Sequence, residues 1–131
     1  MPATAQISSL SDVSPLTPIA PSSFAPSWIR TPPGTGTSLM RGEIAHGKAY
    51  GALAMGMGSR ALFQRAQEQA YFVDAVNTMA QGRLVPVPGG VLIQDGTKLL
   101  GAIGVSGDTS DNDEICAVAG IEAAGLKANT G

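Results

Sequence analysis

Proline placement divides this chain into two parts with different folding possibilities. Pro2, Pro15, Pro18, Pro21, Pro26, Pro32 and Pro33 fall in the first quarter, and only Pro86 and Pro88 follow. Each fixes φ and removes a backbone donor, so their spacing forbids a continuous helix or a central strand before about Met40. The rest of that segment is mainly Ser, Thr and Ala, and its only charges are Asp12 and Arg30. Its apolar residues Phe24, Trp28 and Ile29 recur at neither the strand nor the helix period. Residues 1–40 are expected to be a proline-rich, disordered segment, with a docked arm around Phe24 to Ile29 as the alternative.

From Arg41 the chain has the composition of a folded domain. At 131 residues it is long enough for one hydrophobic core and too short for two. A helix is expected over Glu43 to Met57. Ala45, Ala49, Ala52 and Gly56 give it a face of small side chains suited to close packing, beside a bulkier stripe of His46, Tyr50, Leu53 and Met57. Ser59 has the chemistry of an N-cap for a short helix through Gln67. A second helical run sets Tyr71, Phe72, Ala75, Val76 and Met79 on one face, with Gly82 at its C′ position.

Pro88-Gly89-Gly90 then starts a strand from Val91 to Gln94, and Asp95-Gly96 signals a tight hairpin into Lys98 to Val105. Asp111 and Glu114 have the spacing of a capping pair opening a helix through about Ala124, whose apolar side is expected to be Ile115, Val118, Ala119 and Ile121. Gly125 ends it, and residues 127–131 are expected to be a flexible tail beyond a folded domain of residues 41–126.

The net charge of −2 and the low charged fraction, 14%, provide no basic stripe for a phosphate backbone, so nucleic acid is not expected as a partner. No apolar run approaches bilayer length, and the start of the chain lacks a basic region followed by an apolar block. The expectation is a soluble, cytoplasmic protein with no membrane partner. A single cysteine, Cys116, makes neither an intramolecular disulfide nor a cysteine-cluster zinc site.

Four blocks carry a family likeness. They are Ile44-Ala45-His46-Gly47-Lys48-Ala49-Tyr50, Pro86-Val87-Pro88-Gly89-Gly90-Val91-Leu92-Ile93, Leu100-Gly101-Ala102-Ile103-Gly104-Val105-Ser106-Gly107 and Asp113-Glu114-Ile115-Cys116-Ala117. Together they resemble the GlcG/HbpS heme-binding family from about Glu43 to Gly125. The resemblance implies an α+β, profilin-like domain: an antiparallel sheet with packed helices, assembling as a homo-oligomer and binding a small-molecule ligand, heme. Family members usually carry a helix and a strand pair upstream, where this chain is proline-rich, so the sheet is expected to lack those elements.

His46 is the sole histidine and hence the candidate metal ligand for a heme iron. This is an inference from its chemistry and is not carried over from a matched family ligand; the competing reading is an ordinary histidine bordering the core. Tyr50 lies one turn along the same face. Lys48 matches the family helix and is a candidate for a propionate, against the alternative of an exposed helix lysine. Gly89, Gly90, Ser106 and Gly107 are candidates for presenting backbone N–H groups to an anion, against a simple turn role.

In this reading a cleft between the Glu43–Met57 helix and the glycine loops holds the macrocycle. Met55 and Met57 read as core filler, and Cys116, in a helix first turn, as a thiol with a lowered pKa or a buried structural residue. No catalytic constellation is present in the sequence. The expected function is therefore heme binding for storage or sensing. The alternatives are an enzyme or accessory protein acting on a small carboxylate in glycolate- or diol-type metabolism, and a structural oligomer subunit.

Overall fold

A computed structural model describes residues 39–131. The proline-rich segment, apart from its last two residues, lies outside the described residues. Seven elements follow in order: α1 (Leu39–Met55), α2 (Ser59–Glu68), α3 (Ala70–Met79), β1 (Gly90–Asp95), β2 (Lys98–Gly104), α4 (Ser110–Ala123) and β3 (Lys127–Asn129). The architecture is α+β, an antiparallel sheet with packed helices, as the sequence predicts. Among the described residues the sheet has three strands in the order β2-β1-β3.

Alternation along β1 divides the interior between the two faces of the sheet. Val91 and Ile93, with Ile103 and Val105, pack against Ala117 and Ile121 of α4. Burying each of the larger aliphatic side chains stabilises the fold by about 1.5–3 kcal/mol before conformational entropy is counted. On the opposite face Gly90 and Gly104 meet α1. A Cβ on Gly104 would overlap the carbonyl of Ala45, and one on Gly90 the carbonyl of Lys48. Close approach is thus the purpose of the small stripe, and Ala45, Ala49 and Ala52 are all buried. A second cluster, Leu62, Val73 and Leu84, joins α2 and α3 to the far side of α1.

Helix ends differ from expectation in instructive ways. α1 begins at Leu39, earlier than expected, and stops at Met55, because Gly56 turns left-handed (φ +66°) while its N–H and that of Met57 bond Leu53 O and Ala52 O. Ser59 is inside α2 and does not cap it; Gly58 holds the N-cap position, and the Ser59 hydroxyl accepts instead from Gly90 N at 2.7 Å. At the end of α3 the C′ residue is Gln81, at φ +58°, with Gly82 one place later. Tyr71 and Met79 are exposed, so the buried face of α3 is centred on Val73.

The hairpin turn is Gly96-Thr97, with Gly96 at φ +61° in the first central position as a type II′ turn requires, one residue later than Asp95-Gly96 implies. A register shift beside Ile93 leaves Leu100 as the extra residue of a bulge in β2. Thr109 caps α4, accepting from Asn112 N, and the expected Asp111–Glu114 capping pair does not form; both acids bind Arg60. Ile121 is buried as expected, but its companion in the core is Ala117, while Ile115 and Ala119 face outward. Gly125 ends α4 at φ +76°. The expected flexible tail is instead occupied by β3, with Ala128 opposite Ile93 and Asn129 opposite Leu92.

Candidate functional site

Two groups of candidate residues sit on different sides of α1. His46 and Tyr50 are separated by one turn, and their rings stack with centroids 6.3 Å apart and planes 25° from parallel. The guanidinium of Arg83 covers the Tyr50 ring at 4.6 Å from its centroid, while Arg83 Nε donates to Ala80 O. The segment carrying Arg83 runs along α1 because Gly47 and Gly51 clear space for it: a Cβ on Gly47 would press into Val85, and one on Gly51 would crowd Leu62. Val85 N also donates to Gly47 O at 3.3 Å.

His46 is half-buried, and that burial, with the charge of Arg83 adding to it, holds its pKa below the ordinary value of 6.5. The imidazole is consequently neutral at pH 7, the form that offers a lone pair to a metal.

Lys48 is two residues from His46, about 200° around the helix, and points into the protein. Its ammonium is neither exposed nor beside His46. It donates to Val105 O and to Asp113 Oδ2, each at 2.9 Å, with side-chain exposures of 3% for Lys48 and 2% for Asp113. Asp113 Oδ1 accepts from Asp108 N at 3.0 Å. An internal carboxylate therefore takes the Lys48 ammonium, which the sequence reading assigns to a propionate, and the Asp108 N–H that follows the Ser106-Gly107 turn. Ser106 and Gly107 themselves are half-buried.

Gly89, at φ +118°, would place a Cβ 2.9 Å from Lys48 Nζ, and Gly90 gives its N–H to Ser59. Helix and glycine loop are in contact, so the expected cleft between them is filled by Lys48 and the backbone. The site residues thus separate into a half-buried set, His46 and Tyr50, the latter packed against the Leu62 cluster, and a fully inward set, Lys48, Gly89 and Gly90, which Ser106-Gly107 flanks.

With this geometry in place, likeness to known proteins becomes specific. The HbpS-like family, described as haem degrading protein HbpS-like, matches residues 31–122. The chain belongs to this family. Among solved structures, this HbpS-like chain is similar to that of a PduOC:heme complex, with a TM-score of 0.62 and 27% identity over 70% of its length. It spans 66% of the PduOC chain. No curated protein matches it.

Met55 and Met57 of this HbpS-like domain lie partly buried against the Leu62 cluster beside Tyr50, in keeping with core filler. Cys116 is half-buried, and burial, followed by the charge of Asp113, raises its thiol pKa, against the expectation of a helix dipole lowering it. Among the described residues no three His, Cys, Asp or Glu side chains gather to hold a metal ion. None of the helices described there is long and apolar enough to cross a membrane.

Sequence reasoning missed Arg83 and Asp113 as working partners. Arg83 follows a helix end with no motif around it, and Asp113 enters the sequence reading as the start of a family block. Only the tertiary fold brings them to Tyr50 and Lys48.

Proposed function

We propose that this chain binds heme on the face of α1 that carries His46 and Tyr50, with His46 as the iron ligand, in a storage or sensing role. The observation that carries the reading is the half-buried imidazole of the sole histidine, stacked on the Tyr50 ring that the Arg83 guanidinium covers, with burial and the Arg83 charge favouring its neutral form. The similarity to a PduOC:heme complex supports the choice of ligand. The residues fit the group: His46 supplies a nitrogen lone pair, Tyr50 an apolar ring, and Arg83 a cation suited to a propionate. Bound heme would supply an iron centre with an open coordination chemistry. The chain's contribution is to hold the imidazole neutral and to orient it from a fixed helix.

Lys48, Gly89 and Gly90 act in this reading as the scaffold that sets the position of α1, and the Ser106-Gly107 turn is braced through Asp113. An open helix face covers one side of a macrocycle, so a second copy of the chain is the proposed cover for the other, consistent with a homo-oligomer.

Hemin titration followed at the Soret band tests the proposal, with His46→Ala run beside it and light scattering reporting the assembly state. Saturation at a defined stoichiometry, lost or spectrally altered in the variant, is the expected result. Saturation identical in His46→Ala would remove His46 as ligand, and the absence of any saturable change in folded protein would refute heme binding. Bleaching of the Soret band on adding a reductant would convert the reading from storage or sensing to turnover.

A further inference from the structure

The outward side of α4 presents an apolar surface centred on Ile115 and Ala119, both exposed, with Val118 at its edge half-buried against the core. Glu114, Ile115, Val118, Ala119 and Glu122 line a shallow concavity there, and Ile115 is 66% exposed although it is one of the larger aliphatic residues of the chain. The spacing i, i+3, i+4 forms one stripe. It is flanked by carboxylates: Glu114 is engaged through Oε1 with Arg60, whereas Glu122 is exposed at the other end. A matching occupant needs an aromatic or aliphatic anchor adjoining a cation. A second copy of α4 would bring the same acids face to face, which disfavours it.

We propose that the segment Trp28-Ile29-Arg30 of this chain docks on that stripe, Trp28 and Ile29 against Ile115, Val118 and Ala119, and Arg30 toward Glu122. The segment combines the sole tryptophan of the protein with the sole basic residue before Arg41. Reach is sufficient. Trp28 precedes Leu39 by eleven residues, about 36 Å of extended chain. That length exceeds the width expected of the 93-residue body, whose radius of gyration is about 12 Å. The other exposed apolar stripe, Tyr71 and Met79 on α3, competes for the same segment and serves as the control.

Because Trp28 is the only tryptophan, intrinsic indole fluorescence of the full chain reports on this segment alone. Docking is expected to give a blue-shifted emission, protected from acrylamide relative to the urea-unfolded chain. Ile115→Asp, a change at an exposed position that leaves the fold intact by circular dichroism, should return both signals to the unfolded values, while Tyr71→Ser should leave them unchanged. Emission equal to that of the unfolded chain in the native protein overturns the proposal. So does a blue shift that survives Ile115→Asp, that responds to Tyr71→Ser, or that disappears on dilution, the last assigning the surface to a second copy.

Discussion

Replacing Asp113 with Asn removes one negative charge from a position where only 2% of the side chain meets solvent, and leaves the Lys48 ammonium facing a neutral amide and Val105 O. The amide oxygen remains the acceptor for Asp108 N, which sets the amide NH2 against the Lys48 ammonium, so the variant removes both the charge and the Lys48 hydrogen bond while keeping the shape. Breaking a buried ion pair from one side costs about 3–5 kcal/mol, because the remaining charge stays desolvated. For a domain of this size each kcal/mol lowers Tm by about 4–8 °C, so a fall of about 12 °C or more is expected. Lys48→Met should cost a similar amount by stranding the carboxylate.

The double variant Lys48→Met/Asp113→Asn carries no buried charge. Its loss should be about 1–3 kcal/mol, the cost of leaving Val105 O and one amide under-satisfied, and well short of the sum of the singles. Urea unfolding monitored by circular dichroism supplies all four corners of this cycle. Single losses below about 1 kcal/mol, the range of exposed pairs, together with additive behaviour in the double variant, would refute a buried, charge-paired link between α1 and α4.

Four other outcomes follow from particular residues. His46 has a folded pKa below 6.5, so below that pH the unfolded chain binds a proton the folded one resists; the His46 contribution is intact above pH 6.5 and stability falls as pH drops, a slope that His46→Gln should flatten in pH-dependent urea melts. Arg83→Met removes the charge cause of that shift and should raise the His46 pKa, read from imidazole proton NMR. Gln81→Gly relieves a non-glycine residue held at φ +58° and should add about 1 kcal/mol of stability, seen as a higher urea midpoint. Gly104→Ala forces a methyl group into the carbonyl of Ala45 and should cost about 3 kcal/mol or more; an unaltered midpoint would mean that α1 yields freely.

Features written in short-range chemistry were legible in the sequence. The Ala45-Ala49-Ala52 stripe, the hairpin around Gly96 and the stop at Gly125 each depend on residues within a turn or two of one another, and their chemistry has few alternative uses. What was misread depends on distant partners. Lys48 looks like a surface lysine until Asp113, 65 residues away, is placed beside it. Residues 127–131 have no strand signal of their own, and β3 forms because Leu92 to Gln94 present a pairing edge. Ser59 has the side chain of a cap, yet the buried N–H of Gly90 competes for its hydroxyl and wins. In the candidate site His46 and Tyr50 were visible as neighbours on one helix, whereas Arg83 arrives on a connecting segment that no spacing rule links to them.

The glycines of α1 have a mechanical consequence. Gly47 and Gly51 seat the 83–85 segment on one flank, Gly90 and Gly104 of the sheet bear on the main chain of another, and the Lys48 ammonium is anchored to Val105 and Asp113. Rolling the rod about its long axis would drive backbone into backbone, so torque applied at the imidazole has almost no compliance to work against. Sliding along the axis meets softer resistance, chiefly the two bonds of Lys48. Lys48, two residues from His46, ties this rod to the first turn of α4, and amide exchange at Asp113 and its neighbours is expected to register a displacement of α1 along its axis.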